Sequence, residues 1–172
     1  MKVIVRHPRS AVFFDENRDV FIKNFNPKLI NRIKFFLGLR RYPGENFYYI
    51  SKLLNTLNIN TPPIINYSKY SVETQNVPGL SLEKALEKNS DNHIIIEQYI
   101  SFILRLLENN IYCGDLKFDN FIVYKNKLYA LDLEDYRHVK FFKHTNEEFL
   151  KRLKGKIPKE LFETIINRLQ AT

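Results

Sequence analysis

The first part of the chain alternates apolar runs with short polar corners, and this pattern predicts three β-strands. The strands are predicted over residues 2–5, 10–14 and 20–25. In the third strand the two-residue period puts Lys23 on the same face as Phe21 and Phe25. A lysine between two aromatic residues either lies on a solvated edge strand or belongs to a functional site, and the pattern alone leaves both readings open.

Apolar positions at helical spacing follow the third strand and predict two helices. The helices cover residues 28–39, which are strongly basic, and residues 43–58. Glu45 lies in the first turn of the second helix, where a carboxylate also suits the helix dipole. It is the only acidic side chain in residues 20–72 and borders the apolar stripe of its helix, so it is a candidate partner for Lys23.

The remaining pattern predicts a strand pair, a turn at Pro78 and Gly79, and a mainly helical second half. Residues 91–109 are apolar on all but one narrow stripe, which predicts a buried central helix. The predicted elements are strands over 64–67 and 71–75, a short helix capped by Ser81, helices over 91–109, 145–153 and 158–169, and a hairpin over 121–131.

Together these elements predict an α+β chain of two lobes. The N-lobe, residues 1–77, contains a small antiparallel sheet and the helix that carries Glu45. The C-lobe, residues 78–172, is mainly helical and contains the hairpin. A single doubly wound parallel sheet would contradict this reading.

Composition and charge narrow the class of protein. The chain has 172 residues, 44% of them hydrophobic, and a formal net charge of +8, which favours an anionic partner such as a membrane surface, a phosphorylated substrate or nucleic acid. Cys113 is the only cysteine, so an intramolecular disulfide and a four-cysteine zinc site are excluded. No secretory signal or apolar run of about 18 residues occurs, so we expect a cytoplasmic protein, at most peripheral to a membrane.

The richest group of polar side chains follows the predicted central helix. Asp115 and Asn120 have the Asp-Leu-x-x-x-Asn spacing of a kinase catalytic loop, and Asp132 follows the hairpin that starts directly after Asn120. Asp115 would take the proton of an acceptor hydroxyl, and Lys117 would neutralise charge on a migrating phosphoryl group. Asn120 and Asp132 would offer hard oxygen ligands to magnesium.

Each of these motifs has an ordinary explanation when it is taken alone. Asp and Asn make turn hydrogen bonds in many polar loops, and Asp-x-x-x-x-Asn recurs by chance. The order Lys23, Glu45, Asp115, Asn120, Asp132 matches a phosphoryl-transfer centre, in which a lysine holds phosphate oxygens and a glutamate holds the lysine. The sequence therefore predicts a reduced kinase-like fold.

The catalytic segment also resembles a known family. Residues 113–123, C-G-D-L-K-F-D-N-F-I-V, resemble the H-G-D-L-K-x-x-N-x-L-V segment of small bacterial kinases. Residues 131–137, L-D-L-E-D-Y-R, resemble the lipopolysaccharide core kinase family, in which the metal-binding Asp sits in I-D-L-D-D. Residues 40–47 and 57–62 are similar to the Glu helix of that family and to its exit. The resemblance covers most of residues 3–153.

This resemblance implies an ATP-dependent kinase that phosphorylates a sugar hydroxyl, heptose or Kdo, of a lipopolysaccharide-core glycolipid. It implies that ATP and Mg²⁺ bind between the lobes, and that Gln75, Asn76 and Val77 form the hinge beside the adenine. It also implies an acceptor at the inner face of the membrane. Basic residues that would suit an anionic surface cluster at two places: Arg32, Lys34, Arg40 and Arg41, and Lys151, Arg152, Lys154 and Lys156.

The chain departs from the kinase pattern at three points. Cys113 stands where the family has a histidine, and the corner of residues 6–10, where a phosphate-binding loop belongs, contains no glycine. That corner either contacts phosphate through its basic side chains or is merely a turn. No A-P-E segment follows Asp132, so an activation loop and a peptide platform are missing, which argues against protein substrates.

Two other functions stay open. A catalytically silent kinase fold would serve as a binding module, and Cys113 with the glycine-free corner would suit it. A small regulatory kinase or ATPase of the tRNA-modification type would also be short and basic, although it usually continues Asp-Phe-Gly where this chain has Asp132 and Leu133. The chain has no aromatic-basic RNA signature, so a membrane partner ranks above nucleic acid. Cys113 as a nucleophile is a minor alternative, because no histidine is adjacent in sequence.

Overall fold

The structure is a computed structural model that describes residues 1–88, 92–139 and 146–171. The predicted first residues of two helices, 91 and 145, lie outside these ranges, as does residue 172.

The N-terminal part is built on one five-stranded antiparallel sheet with the strand order β1-β2-β3-β5-β4. Its strands are β1 (Lys2–His7), β2 (Ser10–Asp15), β3 (Val20–Phe25), β4 (Ile64–Tyr67) and β5 (Ser71–Gln75). Lys23 pairs in register with Val12 on β2 and with Val72 on β5, so it lies on the central strand of the sheet. The reading of Lys23 as an edge-strand lysine is therefore wrong.

Two helices connect β3 to β4. They are α1 (Leu29–Phe36) and α2 (Pro43–Thr56). Phe47, Ile50 and Leu54 give α2 a buried stripe, as the apolar spacing predicts. Proline at the first position of α2 is favourable there, because its fixed φ suits a helix start and its missing N–H would have had no partner.

The C-terminal part is built around the helix α4, and one face of this helix is almost fully buried. Tyr99, Ile100, Ile103 and Leu106 on α4 are each at most 1% exposed, which confirms the predicted central helix. The elements are β6 (Leu80–Ser81), α3 (Leu82–Lys88), α4 (His93–Glu108), β7 (Ile111–Tyr112), β8 (Phe121–Tyr124), β9 (Lys127–Ala130), β10 (Arg137–His138), α5 (Asn146–Leu153) and α6 (Lys159–Gln170). Short 3-10 helices cover Phe118–Asn120 and Leu133–Asp135.

The strands of the C-terminal part form a three-stranded sheet, β6-β8-β9, and a pair, β10-β7. The hairpin β8-β9 matches the predicted one, whereas β6, β7 and β10 were not predicted. Each of these three has two residues, which is too short to carry a two-residue hydrophobic period.

An antiparallel-sheet lobe packed on a helical lobe confirms the predicted α+β, bilobal fold. Residues 76–79 lead from β5 to β6, where the sequence places the boundary between the lobes; the exact boundary after residue 77 stays a prediction. Helix α2 joins the lobes, because Asn46 Nδ2 donates to the carbonyl oxygens of Glu134 and Tyr136 at 3.0 Å each. No helix in the described ranges has the length and apolar character needed to cross a membrane.

Candidate active site between the two lobes

A partly buried ion cluster connects the N-terminal sheet to the segment after β9. Lys23 Nζ lies 2.5 Å from Glu134 Oε1 and 2.8 Å from Asp132 Oδ1. The Lys23 side chain is 11% exposed and that of Glu134 is 19% exposed, whereas that of Asp132 is 53% exposed. One lysine thus holds two carboxylates, of which Asp132 is the one open to solvent.

Burial and charge act in opposite directions in this cluster. Burial by itself would lower the pKa of Lys23, but the carboxylates of Glu134 and Asp132 outweigh burial and raise that pKa. Burial raises the pKa of Glu134, and the nearby Asp132 carboxylate adds to the rise while the Lys23 ammonium opposes it. Removing Lys23 or Glu134 would leave the charge of the other poorly solvated, so loss of either side chain is expected to destabilise the fold.

Glu45 does not form the expected pair with Lys23 in this structure. It lies in the first turn of α2 and is half-buried, and within the described ranges it takes part in no ion pair. The residue beside it, Asn46, points instead at the backbone of residues 134–136. The turn that carries Glu134 therefore fills the position beside Lys23 that the sequence assigns to Glu45.

The catalytic-loop spacing is reflected in a network of local hydrogen bonds around Asn120. Its side chain is buried, and its Nδ2 donates to the carbonyl oxygen of Asp115 at 2.9 Å. The Leu131 N–H donates to the Asn120 carbonyl at 2.8 Å, which brings Asp132 beside Asn120. No hydrogen bond within the described part of the chain uses Asn120 Oδ1, so that amide oxygen is free to bind a cation.

Asp132 has a left-handed backbone, with φ 52° and ψ 46°. This region is uncommon for residues other than glycine, although Asp tolerates it better than most. Backbone conformations of this kind cluster at functional sites. Here the turn directs the Asp132 carboxylate towards Lys23 and reverses the chain into the 3-10 helix that carries Glu134.

Asp115 is partly exposed and forms an ion pair with Lys156 from the C-terminal part of the described chain. Lys156 Nζ donates to Asp115 Oδ1 at 3.1 Å and to the Gly114 carbonyl oxygen at 2.6 Å. Lys156 lies between α5 and α6, so these bonds tie the segment of Gly114 and Asp115 to the turn between those two helices. Lys117 is exposed and forms no ion pair among the residues that the structure describes.

A cavity of about 190 Å³ lies between the sheet and the hairpin β8-β9. Its walls are mainly apolar, and Lys23 and Asp132 are its charged members. The lining residues are Val12, Phe21, Lys23, Phe47, Pro62, Val72, Thr74, Gln75, Val77, Ile122, Leu131 and Asp132. An apolar cavity with charged groups among its lining residues is typical of a ligand site.

The predicted hinge residues are arranged unequally around this cavity. Gln75 and Val77 line it, whereas Asn76 does not. The Asn76 N–H donates to the carbonyl oxygen of Asp19 at 3.0 Å, and its side chain donates to the Asp19 carboxylate at 2.9 Å. The Val77 N–H is used by no hydrogen bond in the described ranges, so it is available to a ligand.

A more open hollow of about 580 Å³ borders the loop of residues 117–119 on the C-lobe side. It is lined by two lysines, Lys117 and Lys156, and by three carboxylates, Glu83, Glu87 and Asp119, with apolar walls between them. Interaction with Asp119 raises the pKa of Glu83. A larger groove of about 850 Å³ runs along the polar stripe of α4 and contains none of the predicted site residues.

The glycine-free corner lies away from the interlobe cavity. His7, Pro8 and Arg9 line a separate shallow hollow together with residues 26–28. The two readings of this corner, a phosphate contact through its side chains and a plain turn, both stay predictions.

Cys113 is buried rather than reactive. It is 3% exposed, and burial raises the pKa of its thiol to about 12. Nucleophilic cysteines need a thiolate in a polar, accessible setting. Cys113 is buried and its thiol stays protonated at neutral pH, so the structure argues against Cys113 as a nucleophile.

The fold has a counterpart among solved structures. The Rio2 kinase of Chaetomium thermophilum, solved as an ADP/Mg²⁺-phosphoaspartate complex, matches with a TM-score of 0.61 and 14% identity over 96% of this chain. The chain spans 60% of the length of that structure. No protein-family model matches the sequence, and no curated protein matches it. At this identity the likeness establishes the protein-kinase-like fold and nothing finer.

Two residues of the site were missed by the sequence reasoning. Glu134 lies two residues after Asp132, and this repeated carboxylate after the hairpin is a signal that the sequence analysis does not use. Lys156 lies 41 residues after Asp115 and carried no local signal. Only the packing of the α5–α6 turn against the loop brings it there.

Proposed function

We propose that the chain is an ATP-dependent phosphotransferase that phosphorylates a hydroxyl group, namely a sugar hydroxyl of a lipopolysaccharide-core-type glycolipid. The observation that carries the proposal is the convergence of Lys23, Asp132, Asn120 and Asp115 at the junction of the two lobes. Hydrogen bonds and ion pairs between these residues and their neighbours support it.

The cavity suits the base of a nucleotide. Its apolar walls would cover the flat faces of adenine, and the Val77 N–H would donate to a ring nitrogen at the edge. Lys23 lines the same cavity and would contact the phosphate oxygens. The Rio2 kinase structure contains ADP and Mg²⁺, which agrees with this use of the fold.

Two protein oxygens fit a magnesium ion. Asn120 Oδ1 is left free by the Nδ2 bond to Asp115, and Asp132 offers a carboxylate that is about half exposed. Among the described residues no group of three or more His, Cys, Asp or Glu side chains could hold a metal, so phosphate oxygens and water would complete the shell. When bound, the ion supplies positive charge that offsets the charge of the triphosphate.

The chemistry then needs one base and one acceptor. Asp115 would take the proton as the acceptor oxygen forms its bond to the γ-phosphorus and the bond from that phosphorus to the β,γ-bridging oxygen breaks. Lys117, at the edge of the same loop, would offset charge on the transferred group. ADP would be the leaving group, and its terminal oxygen would keep the electron pair of the broken bond.

The hollow beside the catalytic loop supports a sugar acceptor. Carboxylates accept hydrogen bonds from sugar hydroxyls, and Glu83, Glu87 and Asp119 provide them. The positive charges of Lys117 and Lys156 at this hollow would also suit an anionic glycolipid. The resemblance of residues 113–123 and 131–137 to core kinases also supports this acceptor, with the protein acting at the cytoplasmic face of the membrane.

The test is a phosphate-transfer assay with γ-labelled ATP on extracted core glycolipid, beside a protein panel and an acceptor-free reaction. Asp115→Asn should leave ATP affinity nearly intact and lower the rate by about 10²–10⁴-fold. Asp132→Asn should lose magnesium-dependent nucleotide binding as well as turnover. Asp135→Asn is the matched control, because the Asp135 side chain is 75% exposed and lines neither the interlobe cavity nor the hollow beside residues 117–119.

Other outcomes would replace the proposal. Label released only to water would indicate a regulatory ATPase of the tRNA-modification type. A protein that binds partners but neither nucleotide nor label would be a silent kinase-fold module.

A further inference from the structure

Helix α1 exposes an unusual amount of apolar surface. Most of its large hydrophobic side chains and those of the following turn are far more exposed than is normal for such residues: Leu29 is 74% exposed, Ile30 58%, Ile33 46%, Phe36 83%, Leu37 61% and Leu39 69%. Single exposed apolar residues need no explanation, but a contiguous group of this kind usually marks an interaction surface.

The exposed residues form one face of the helix. At about 100° per residue, Leu29, Ile33, Phe36, Leu37 and Ile30 fall within an arc of about 120°. Arg32 falls on one side of that arc and Lys34 on the other. Asn31 and Phe35 point the opposite way, and Phe35 is the buried residue of the helix.

The buried side ties α1 firmly to the body of the protein. The Phe35 ring lies 5.5 Å from that of Tyr42, which in turn lies 5.4 Å edge-on to Tyr70 in the loop between β4 and β5. Arg32 Nη2 donates to Asn26 Oδ1 at 2.8 Å and its Nε to the Pro27 carbonyl at 3.2 Å. The apolar face is therefore presented by an anchored helix.

The charge around this face has one sign. Residues 28–41 contain five basic side chains and no acidic one: Lys28, Arg32, Lys34, Arg40 and Arg41. Nucleic acid would use the basic groups but would leave the apolar arc in water. An anionic bilayer would satisfy both, with the arc between the acyl chains and the basic rim at the headgroups.

We propose that α1 with the turn through Arg41, called here the α1 surface, is a docking site for an anionic lipid bilayer. Phe36, Leu37 and Leu39 enter the interface, and Lys28, Lys34 and Arg41 contact lipid phosphates. The site is separate from the interlobe cavity and does not depend on phosphate transfer. It would hold the protein at the surface where a glycolipid acceptor resides.

Flotation with vesicles tests this surface directly. The full chain should float with vesicles of phosphatidylglycerol and phosphatidylcholine in equal parts and stay behind with pure phosphatidylcholine. Phe36→Ser with Leu39→Ser should lower the partition coefficient by about tenfold or more, because each substitution removes one large apolar side chain that would be buried in the bilayer. Lys34→Gln with Arg41→Gln should weaken binding and reduce its salt dependence.

Matched controls exist in the C-terminal part of the chain, outside the α1 surface. Ile94 on α4 is 67% exposed, and Ile94→Ser should leave vesicle binding unchanged. Lys125→Gln with Lys127→Gln removes two exposed charges from the β8-β9 turn and should also leave it unchanged. Asp132→Asn should bind vesicles normally while losing nucleotide, so the two proposals can fail separately.

The chain contains no tryptophan, which permits a direct measure of insertion. Phe36→Trp should show a blue-shifted emission and quenching by brominated lipid with anionic vesicles, whereas Ile94→Trp should show neither. The absence of a shift at position 36 would overturn the inference. So would concentration-dependent dimerisation abolished by Phe36→Ser in a protein that ignores vesicles, because a second copy would then be the occupant of the α1 surface.

Discussion

Lys23 on the central strand of the N-terminal sheet is held by Glu134 of the C-lobe, with 2.5 Å between Nζ and Oε1. The lysine that would contact the phosphates and the residue that holds it thus come from different lobes. Asn46 of α2 binds the carbonyl oxygen of the same Glu134 at 3.0 Å. One short segment, residues 132–136, therefore sets the position of the lysine, of the candidate metal ligand Asp132 and of α2.

The first prediction concerns Glu134→Gln. It removes the less exposed of the two carboxylates beside Lys23 and leaves Asp132 as the only counter-charge. The free energy of unfolding should fall by about 1–3 kcal/mol, measured by chemical denaturation. Asp132 already lies 2.8 Å from Lys23 and would become its sole counter-charge in the site, which leaves it less available to a cation. Nucleotide affinity and turnover should therefore both fall, by about 10- to 100-fold.

Glu45→Gln is the matched control for that variant. In this structure the Glu45 carboxylate has no ionic partner within the described ranges, so its loss should change stability by less than about 0.5 kcal/mol. If Glu45→Gln impaired nucleotide binding more than Glu134→Gln did, the original pairing of Lys23 with Glu45 would be the functional one.

Much of this architecture could be predicted because its signals are local. The strands of the first sheet, α2, α4 and the hairpin β8-β9 each carry a clear apolar period over four or more residues. The loop that contains Asp115 and Asn120 also has a local signal, namely the fixed spacing of its Asp and Asn residues. The catalytic role of Asp115 and the metal-binding roles of Asn120 and Asp132 stay predictions.

The contacts that sequence reasoning missed are all between distant segments. Lys23 could be placed on a strand face, but which carboxylate meets it depends on how two lobes pack, and Glu134 is more than a hundred positions away. Glu45 satisfied every local criterion. In this structure Asn46, not Glu45, is directed into the interface. That Glu45 meets Lys23 when the lobes close stays a prediction.

A second prediction concerns Lys156, which bonds Asp115 and the Gly114 carbonyl oxygen. Lys156→Gln should release the loop and lower the turnover number about tenfold while ATP affinity stays unchanged. Both side chains are more than a third exposed, so stability should change by no more than about 0.5 kcal/mol. Lys154→Gln, in the same turn, is the control, and Lys156→Arg should restore part of the rate. An unchanged rate would show that the contact has no part in turnover.

A third prediction concerns the close approach of α2 to the loop after β4. A Cβ on Gly44 would overlap the carbonyl oxygens of Ser68 and Ser71, so Gly44→Ala must push α2 away from the sheet. We expect a loss of about 1–3 kcal/mol in the free energy of unfolding and a weaker nucleotide affinity.

Gly38→Ala separates this steric effect from backbone strain. Gly38 has φ 69° and nothing within 4 Å of an added Cβ, so alanine there costs only about 1 kcal/mol in conformational energy and leaves nucleotide affinity intact. Equal effects of the two substitutions on affinity would mean that the packing of α2 does not position the site.

The last prediction concerns the buried thiol of Cys113. Its pKa is raised by burial from an ordinary value of 9.0 to about 12, so between these values the unfolded chain loses the proton and the native chain keeps it. The free energy of unfolding must therefore fall as pH rises through this window, by up to about 1.4 kcal/mol per pH unit for this one group. Tyr99 and Tyr136 are buried with raised pKa values and add to the same trend. Cys113→Ala isolates the contribution of the thiol, because it retains both tyrosines and should show a shallower decline in stability above pH 9. Alkylation by iodoacetamide should be slow in native buffer, should accelerate with denaturant in step with unfolding, and should leave phosphate transfer unaffected in the folded protein. Rapid alkylation of the folded chain at neutral pH would contradict the buried, protonated state of Cys113.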